Sequence, residues 1–248
     1  MALSSCGGQA AAADAAAVPA TIPSSATPAS GDAALKFCDA LVSASGGYAH
    51  LMAMEELAPD DLAKAGDKLS AAVKSAPADI ASAASTVAQN TLQQTHGVSW
   101  GAGSGFVDAA TSLVSWMKAH CGFRALALSG TDTLLDGVPA TLSAGPLAIT
   151  FDNHGSFMPI VMVGRINDDV HETAEQIAKT STDPATAHDD KGSRALLFRK
   201  VTMTGAVSAD AKARGFGFVD LKPGRYLFVL SDFRKAEVVL SALEVLVS

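Results

Sequence analysis

Histidine and carboxylate residues lie close together at two places in the second half of the chain. One cluster contains Asp168, Asp169, His171 and Glu172, and the other contains His188, Asp189 and Asp190. Imidazole nitrogens and carboxylate oxygens are common ligands of divalent metal ions. The pattern therefore permits a metal site that includes His171, His188 and Asp189. The alternative interpretation is a solvated polar loop, in which histidine and aspartate are also common.

The other chemically capable residues do not form a catalytic pattern. His154 and Ser156 are close in the chain, but they lack the surrounding glycine pattern of a nucleophile elbow. The glycine-rich stretch 101–105 lacks the lysine-serine or lysine-threonine pair of a phosphate-binding loop, so it is interpreted as a linker between helices. We therefore predict a protein that is not an enzyme and needs no cofactor.

The first of the three cysteines has a distinctive context. It occurs in Leu3-Ser4-Ser5-Cys6-Gly7, which resembles the lipobox of bacterial lipoproteins, a family in which this cysteine is acylated. Residues 7–31 follow and are mostly Ala, Ser, Thr, Pro and Gly with one charge, a composition typical of a disordered tether. The resemblance implies a lipid anchor at Cys6. An accidental surface cysteine and an ordinary frayed terminus are the alternatives.

Composition and charge exclude several classes of partner. The chain carries a formal net charge of −7, with 25 acidic and 18 basic side chains among 248 residues. An acidic chain without a basic tract does not favour binding to nucleic acid, or to anionic lipid through charge. No apolar run approaches the roughly 20 residues that span a bilayer. Membrane attachment is therefore expected through a lipid at Cys6.

Residues 32–122 show the apolar spacing of helices. Pro59 and Pro77 each open a helix that has acidic residues in its first turn, where they favour the helix dipole. The last helix of this region is predicted from about Ser104 to His120. Short connections between the helices favour a small antiparallel bundle.

The other two cysteines lie at opposite ends of this helical region. Cys38 is in the first helix and Cys121 ends the last. The first and last helices of an antiparallel bundle are neighbours, so the two thiols can meet. In an exported protein we expect them to form a disulfide that closes a loop of about 80 residues. Two buried free thiols are the alternative, since buried cysteine is common in protein cores.

From Phe123 onward the apolar residues have the spacing and composition of β-strands. Two runs, Leu147–Phe151 and Ile160–Ile166, flank a polar turn and are interpreted as a β-hairpin at the centre of a sandwich. Further strands are predicted at Phe123–Ser129, Thr141–Leu142, Leu196–Met203, Gly215–Leu221, Tyr226–Ser231 and Val238–Val247. A short helix is expected at Thr173–Lys179. Many short strands separated by turns favour a β-sandwich over residues 123–248.

The order of motifs in this half resembles that of cupredoxin-like β-sandwiches of secreted bacterial proteins. The resemblance depends on the stretches Leu142–Gly145, Ile149–Gly155, Val161–Val163 and Val219–Tyr226. The helical half resembles the small domain that precedes such sandwiches in actinobacterial lipoproteins, through Phe37–Asp39 and Trp116–Cys121. These resemblances imply an α+β fold, with a tether at 1–31, a helical bundle at 32–122 and a Greek-key sandwich at 123–248.

The resemblance also implies where copper ligands would lie, and this chain departs from the family there. Copper-binding members have a histidine shortly after the Asn-x-Gly turn, where this chain has Pro159. The cysteine position falls near Leu230 or Ser231, and no His, Cys or Met occurs from 232 to 248. A type 1 copper site needs thiolate and imidazole ligands, so we expect a metal-free domain.

These observations predict a non-enzymatic lipoprotein at the extracytoplasmic face of a bacterial cell membrane, or a secreted protein. Its partners would be the membrane, through the lipid at Cys6, and an extracellular protein or small ligand. The alternative hypothesis is an extracytoplasmic metal-handling protein that uses the region of His171 and His188.

Overall fold

The computed structural model describes residues 31–53, 59–94, 105–182, 196–232 and 239–248. The helices are α1 (Gly31–Ala53), α2 (Pro59–Lys74), α3 (Ala81–Gln94), α4 (Phe106–His120) and α5 (Ala174–Thr182). The strands are β1 (Arg124–Gly130), β2 (Leu135–Asp136), β3 (Thr141–Leu142), β4 (Gly145–Asn153), β5 (Ile160–Ile166), β6 (Val201–Ser208), β7 (Arg214–Leu221), β8 (Gly224–Ser231) and β9 (Val239–Val247). The predicted α+β class is confirmed. Within these ranges, no helix combines the length and apolar character needed to cross a membrane.

The strands form two sheets that share one apolar core. One sheet has the strand order β2-β1-β4-β7, and the other has the order β3-β9-β8-β5-β6. Strand β1 runs parallel to β4 and β3 runs parallel to β9, while the other neighbouring strands are antiparallel. The inner core contains Ile149 and Phe151 from one sheet, and Val161, Val163 and Phe228 from the other. This arrangement is the predicted β-sandwich.

The predicted hairpin is wrong, although both of its strands are present. Strand β4 pairs with β1 and β7, whereas β5 pairs with β8 and β6 in the other sheet. Residues 154–159 therefore cross between the sheets and do not turn back within one sheet. Both strands are covered on both faces, so their apolar residues run almost without interruption. Such a run predicts a central strand but does not specify its partner.

The start of β6 also differs from the prediction. A strand was expected at Leu196–Met203, but residues 196–200 are helical and β6 covers Val201–Ser208. The helical segment begins with the apolar run Leu196–Phe198, and a short apolar run does not distinguish a buried helical turn from a strand. Strand β2 was not predicted, because two residues show no periodicity.

Helices α1 to α4 form a layer on the outer face of the four-stranded sheet, which we call the helical layer. Phe37 and Leu113 belong to one apolar cluster with Ala148 of β4 and with Phe216 and Phe218 of β7. Strand β7 is therefore buried on both faces. The helical bundle predicted as a separate unit is not confirmed, because these helices share their core with the sheet.

The outer face of the five-stranded sheet is covered by α5 and by the helical residues that precede β6. Ile177 and Leu197 pack there against Met162 of β5 and against Leu227 and Val229 of β8. The sandwich thus has a separate apolar cluster on each outer face, in addition to the core between its sheets.

Strands β6 and β7 belong to different sheets but approach each other closely. A Cβ atom at Gly215 would lie 1.9 Å from the carbonyl oxygen of Ser208, and one at Gly217 would lie 2.6 Å from that of Ala206. Glycine is needed at both positions because the opposite backbone occupies the space of a side chain. Helix α1 contacts both strands from outside.

Candidate functional site

One end of the sandwich collects the positions that the family resemblance assigns to copper ligands. We call it the Asn153 end, because β4 finishes there at Asn153. Strand β5 begins at Ile160 and β8 finishes at Ser231, and these two residues pair directly across the strands. Pro159 immediately precedes Ile160 in the chain. The structure therefore brings together the two positions inferred from the sequence.

The side chains at these two positions do not fit a type 1 copper ion. Pro159 has no donor atom in its side chain, and its carbonyl oxygen accepts a hydrogen bond of 2.7 Å from Ser208 Oγ. Ser231 is 0 % exposed, and its hydroxyl oxygen has no hydrogen-bond partner among the described residues. Copper favours thiolate and imidazole ligands in such sites, and a neutral hydroxyl does not replace a thiolate.

Asn153 joins the loops at this end. Its Nδ2 atom lies 2.7 Å from Phe157 O, 3.1 Å from Ala209 O and 2.9 Å from Asp210 O. Its Oδ1 atom accepts a 2.8 Å bond from Gly155 N. Burial raises the pKa of the Asp210 carboxyl in the same loop. The sequence identified Asn153 as a turn residue, and the structure shows that it also connects β4 to the loop between β6 and β7.

Ser156 and His154, considered above as a nucleophile and its base, contact different groups. Ser156 Oγ donates to Asp132 Oδ2 at 2.9 Å, and Ser156 N donates to Asp132 Oδ1 at 2.6 Å. His154 is exposed, and its carbonyl oxygen accepts a hydrogen bond from Lys212 Nζ. The carboxylate thus binds the serine directly, without an imidazole between them to remove the hydroxyl proton.

Carboxylates of the first predicted metal cluster form ion pairs. Asp168 Oδ1 lies 2.6 Å from Arg165 Nη2, and Glu172 Oε1 lies 2.9 Å from Lys200 Nζ. The hydrogen bond from Lys200 lowers the pKa of Glu172 below its ordinary value of 4.5. Both carboxylates are therefore bonded to basic side chains of the same chain.

Of the two histidines in the metal hypothesis, His171 alone belongs to the described part of the chain. His171 is exposed, while His188 and Asp189 lie outside the described residues. Across the described ranges, no three or more His, Cys, Asp and Glu residues are grouped so that they could hold an ion. Metal binding by this region stays a prediction.

Arg225 of β8 binds the loop before α5 to the sheet. Its Nε atom lies 2.7 Å from Glu244 Oε1 on β9. Its Nη1 and Nη2 atoms donate to Val170 O at 2.8 Å and to Glu172 O at 2.6 Å. Glu244 Oε2 accepts a 3.1 Å bond from the backbone N–H of Ala174, the first residue of α5. The Arg225–Glu244 ion pair thus connects the sheet to the start of the helix.

This ion pair perturbs both of its members. The hydrogen bond from Arg225 lowers the pKa of Glu244, and the same hydrogen bond raises the pKa of Arg225. Neither Arg225 nor Glu244 belongs to a recognisable functional motif in the sequence. The available signal was the presence of a charged residue within each of two otherwise apolar strands, which indicates a paired or specifically placed charge.

The structure contains the disulfide predicted between Cys38 and Cys121. The Cα atoms of the two residues are 5.8 Å apart, and 83 positions separate them in the chain. The bond joins α1 to the residue that follows α4. Cys6, the predicted lipidation site, lies outside the described residues.

Comparisons with known proteins identify similar solved structures only. No protein-family model and no curated protein matches the chain. A dithionite-reduced auracyanin from the photosynthetic bacterium Roseiflexus castenholzii is 13 % identical, with a TM-score of 0.31, over 50 % of this chain and 96 % of its own. Auracyanin A, a "blue" copper protein from Chloroflexus aurantiacus, is 16 % identical, with a TM-score of 0.32, over 50 % and 98 %. A copper-containing nitrite reductase from Thermus scotoductus is 12 % identical, with a TM-score of 0.30, over 53 % and 33 %.

Proposed function

We propose that this chain is an extracytoplasmic, lipid-anchored protein that binds a partner and does not catalyse a reaction. Its sandwich would be a cupredoxin-like domain that does not hold type 1 copper. The observation that carries this proposal is the pairing of Ile160 with Ser231. It places the two expected ligand positions side by side, occupied by Pro159 and a buried serine, neither of which supplies imidazole or thiolate.

The disulfide supports the extracytoplasmic location. Disulfides persist in oxidising compartments and are rare in the cytosol. The bond between Cys38 and Cys121 joins two elements of the helical layer that are far apart in the chain. Attachment to the membrane is inferred from the lipobox-like sequence that ends at Cys6.

The bonding of the polar loop residues supports a binding role over a catalytic one. Catalytic acids and bases need perturbed pKa values and access to a substrate. Here Asp168, Glu172 and Glu244 are bonded to basic side chains that position loops and helix α5. The Ser156 hydroxyl donates its hydrogen bond to the Asp132 carboxylate and not to an imidazole.

Intact-mass and metal analysis of the chain purified from its native cell envelope test this proposal. We expect a membrane-bound form whose N-terminal residue is diacylated or triacylated Cys6. We also expect no stoichiometric copper, zinc or iron in the same sample. The Cys6→Ala variant is the matched control, and it should leave the membrane fraction without losing its fold, since Cys6 precedes Gly31, the first residue of the helical layer, in the chain.

Two outcomes would contradict the proposal. An unmodified Cys6 in a full-length cytoplasmic chain would exclude the lipid anchor. Stoichiometric metal that is lost in a His171→Ala/His188→Ala double variant would instead support the metal-handling alternative.

A further inference from the structure

A pocket lies beside the Cys38–Cys121 disulfide. It has a volume of about 290 Å³ and is open to solvent. It lies between α1 and the sheet, where Phe123 leads into β1 and where Pro146 of β4 pairs directly with Asp220 of β7. Cys38 and Cys121 contribute to its lining. The disulfide therefore joins two walls of the pocket and keeps their separation fixed.

Part of the pocket wall is apolar. Leu35 and Val42 lie on the same face of α1, and Phe123 and Pro146 line the opposite side. Leu35 is 52 % exposed, which makes it one of the most exposed large apolar side chains in the described ranges. When a ligand covers an exposed apolar side chain at the edge of a pocket, the removal of that apolar surface from water favours binding.

The charged side chains of the pocket wall are acidic. Asp39 lies on α1 between Leu35 and Val42, and Asp220 lies on β7. None of the described residues that line the pocket is basic. Asp220 Oδ2 accepts a 2.5 Å bond from Lys222 Nζ outside the pocket, in an exposed pair. Asp39 has no ion-pair partner among the described residues.

An apolar wall with carboxylates beside it matches a ligand that has a hydrocarbon stem and a cationic head. Lysine and arginine side chains have this form, because their methylene groups pack on apolar surface while the charge remains near polar groups. We propose that the pocket binds a lysine or arginine side chain that a protein partner presents. This proposal rests on the binding role proposed above, and it specifies the chemistry of one contact.

The openness of the pocket favours a protein partner over a free small molecule. Ligand sites that bury most of a small molecule have volumes of roughly 300–1,000 Å³ and are concave, whereas this pocket is at the lower limit and open. A side chain attached to a protein brings additional surface that can cover Leu35. Because the disulfide holds the walls in place, binding does not have to order them.

The N-terminal segment of the same chain is a poor candidate for the occupant. Residues 1–30 precede Gly31, and Gly31 lies about one helical turn before the pocket residue Leu35 in α1. Their only charged side chain is that of Asp14, which is acidic. The segment therefore lacks a cationic side chain to complement Asp39 and Asp220.

Nuclear magnetic resonance titration of the full chain tests the proposal with a defined probe. The probe is a capped Gly-Arg-Gly peptide, and the matched neutral peptide has citrulline in place of arginine. We expect saturable shifts of the backbone amides of Asp39, Ser43 and Asp220, with a dissociation constant of about 1 mM, typical of a single side chain. The citrulline peptide should bind at least about tenfold more weakly, since it lacks the charge.

Two variants separate binding in the pocket from general attraction to an acidic protein. Asp39→Asn should weaken binding of the arginine peptide, and it should fold normally because Asp39 is exposed and forms no ion pair within the described ranges. Asp67→Asn removes an exposed acid of α2 and should leave binding unchanged. Deletion of residues 1–30 should also leave it unchanged.

The proposal is overturned by several results. These are the absence of saturable shifts, equal binding of the citrulline peptide, or an equal loss in both aspartate variants. Much tighter binding after deletion of residues 1–30 would identify that segment as the occupant and would also overturn it. None of these results would affect acylation of Cys6, so failure of this inference is distinguishable from failure of the proposed function.

Discussion

The two outer faces of the sandwich are covered in different ways. The helical layer is attached to the four-stranded sheet by a large apolar cluster, and its first and last helices are joined by the Cys38–Cys121 disulfide. Helix α5 is attached to the five-stranded sheet by a smaller apolar cluster. There the additional connection is the Arg225–Glu244 ion pair.

The helical layer and α5 are therefore expected to lose stability under different conditions. A disulfide is insensitive to moderate acid but is broken by a reductant. An ion pair is insensitive to a reductant but weakens when its carboxylate binds a proton. We therefore expect reduction to act mainly on the helical layer and acid to act mainly on α5.

The largest effect is expected from removing the disulfide. The Cys38→Ser/Cys121→Ser variant should lose about 4 kcal/mol of unfolding free energy, because a long loop of the unfolded chain is no longer closed. Urea unfolding followed by circular dichroism measures this loss. Wild type in excess reductant is the control and should lose a similar amount. A difference below about 1 kcal/mol would show that the apolar cluster alone holds the helical layer.

A smaller effect is expected from neutralising Glu244. The Glu244→Gln variant keeps the shape of the side chain but loses the charge-assisted bond from Arg225, which should cost about 1 kcal/mol because the pair is partly exposed. Amide hydrogen exchange should accelerate in α5 and stay unchanged in α4. The matched control is Asp152→Asn, which removes a similarly exposed pair with Arg214 on the four-stranded sheet and should leave amide exchange in α5 unchanged. Equal acceleration of amide hydrogen exchange in α4 and α5 would show that the ion pair does not act specifically on α5.

The smallest effect is expected from mild acid. The pKa values of Glu172 and Glu244 are lowered in the folded chain, so their contribution to stability is fully present above the ordinary value of 4.5. It is lost as the pH falls below 4.5 towards the lowered values, because the unfolded state then binds protons first. Hydrogen exchange of α5, compared between about pH 6 and about pH 3.5, should show lower protection in acid after correction for intrinsic rates. The Glu244→Gln variant should show a smaller change, and higher protection in acid would contradict the assignment.

The elements were largely predictable from the sequence, but the contacts between them were less so. Apolar periodicity identified α1 to α4 and most strands, because it reflects local burial. Pairing of β4 with β5 was predicted wrongly, since two short apolar runs joined by six residues can form a hairpin or cross between sheets. The sharing of one core by the helical layer and the sheet depends on Phe216 and Phe218, which face the helices. Their sequence alone indicates only a buried strand.

In the candidate sites too, residue types could be predicted from the sequence, whereas contacts between distant residues could not. The absence of copper-type ligands at Pro159 and Ser231 was readable from residue types, given the family resemblance. The Arg225–Glu244 ion pair could not be predicted from the sequence, because its members are 19 positions apart and meet through the pairing of β8 with β9. The pocket beside the disulfide was also not predictable, since its walls come from α1, β4 and β7.

The close approach of β6 and β7 has a consequence for how the protein avoids self-association. Exposed sheet edges are templates on which other molecules add strands and form aggregates. Each of these strands is an edge of its own sheet, and they shield each other because Gly215 and Gly217 have no side chains. The opposite edges, β2 and β3, are only two residues long. A methyl group in place of a hydrogen atom at either glycine would push the strands apart and expose both edges at once. The absence of a side chain at these two positions therefore helps to prevent aggregation of the chain.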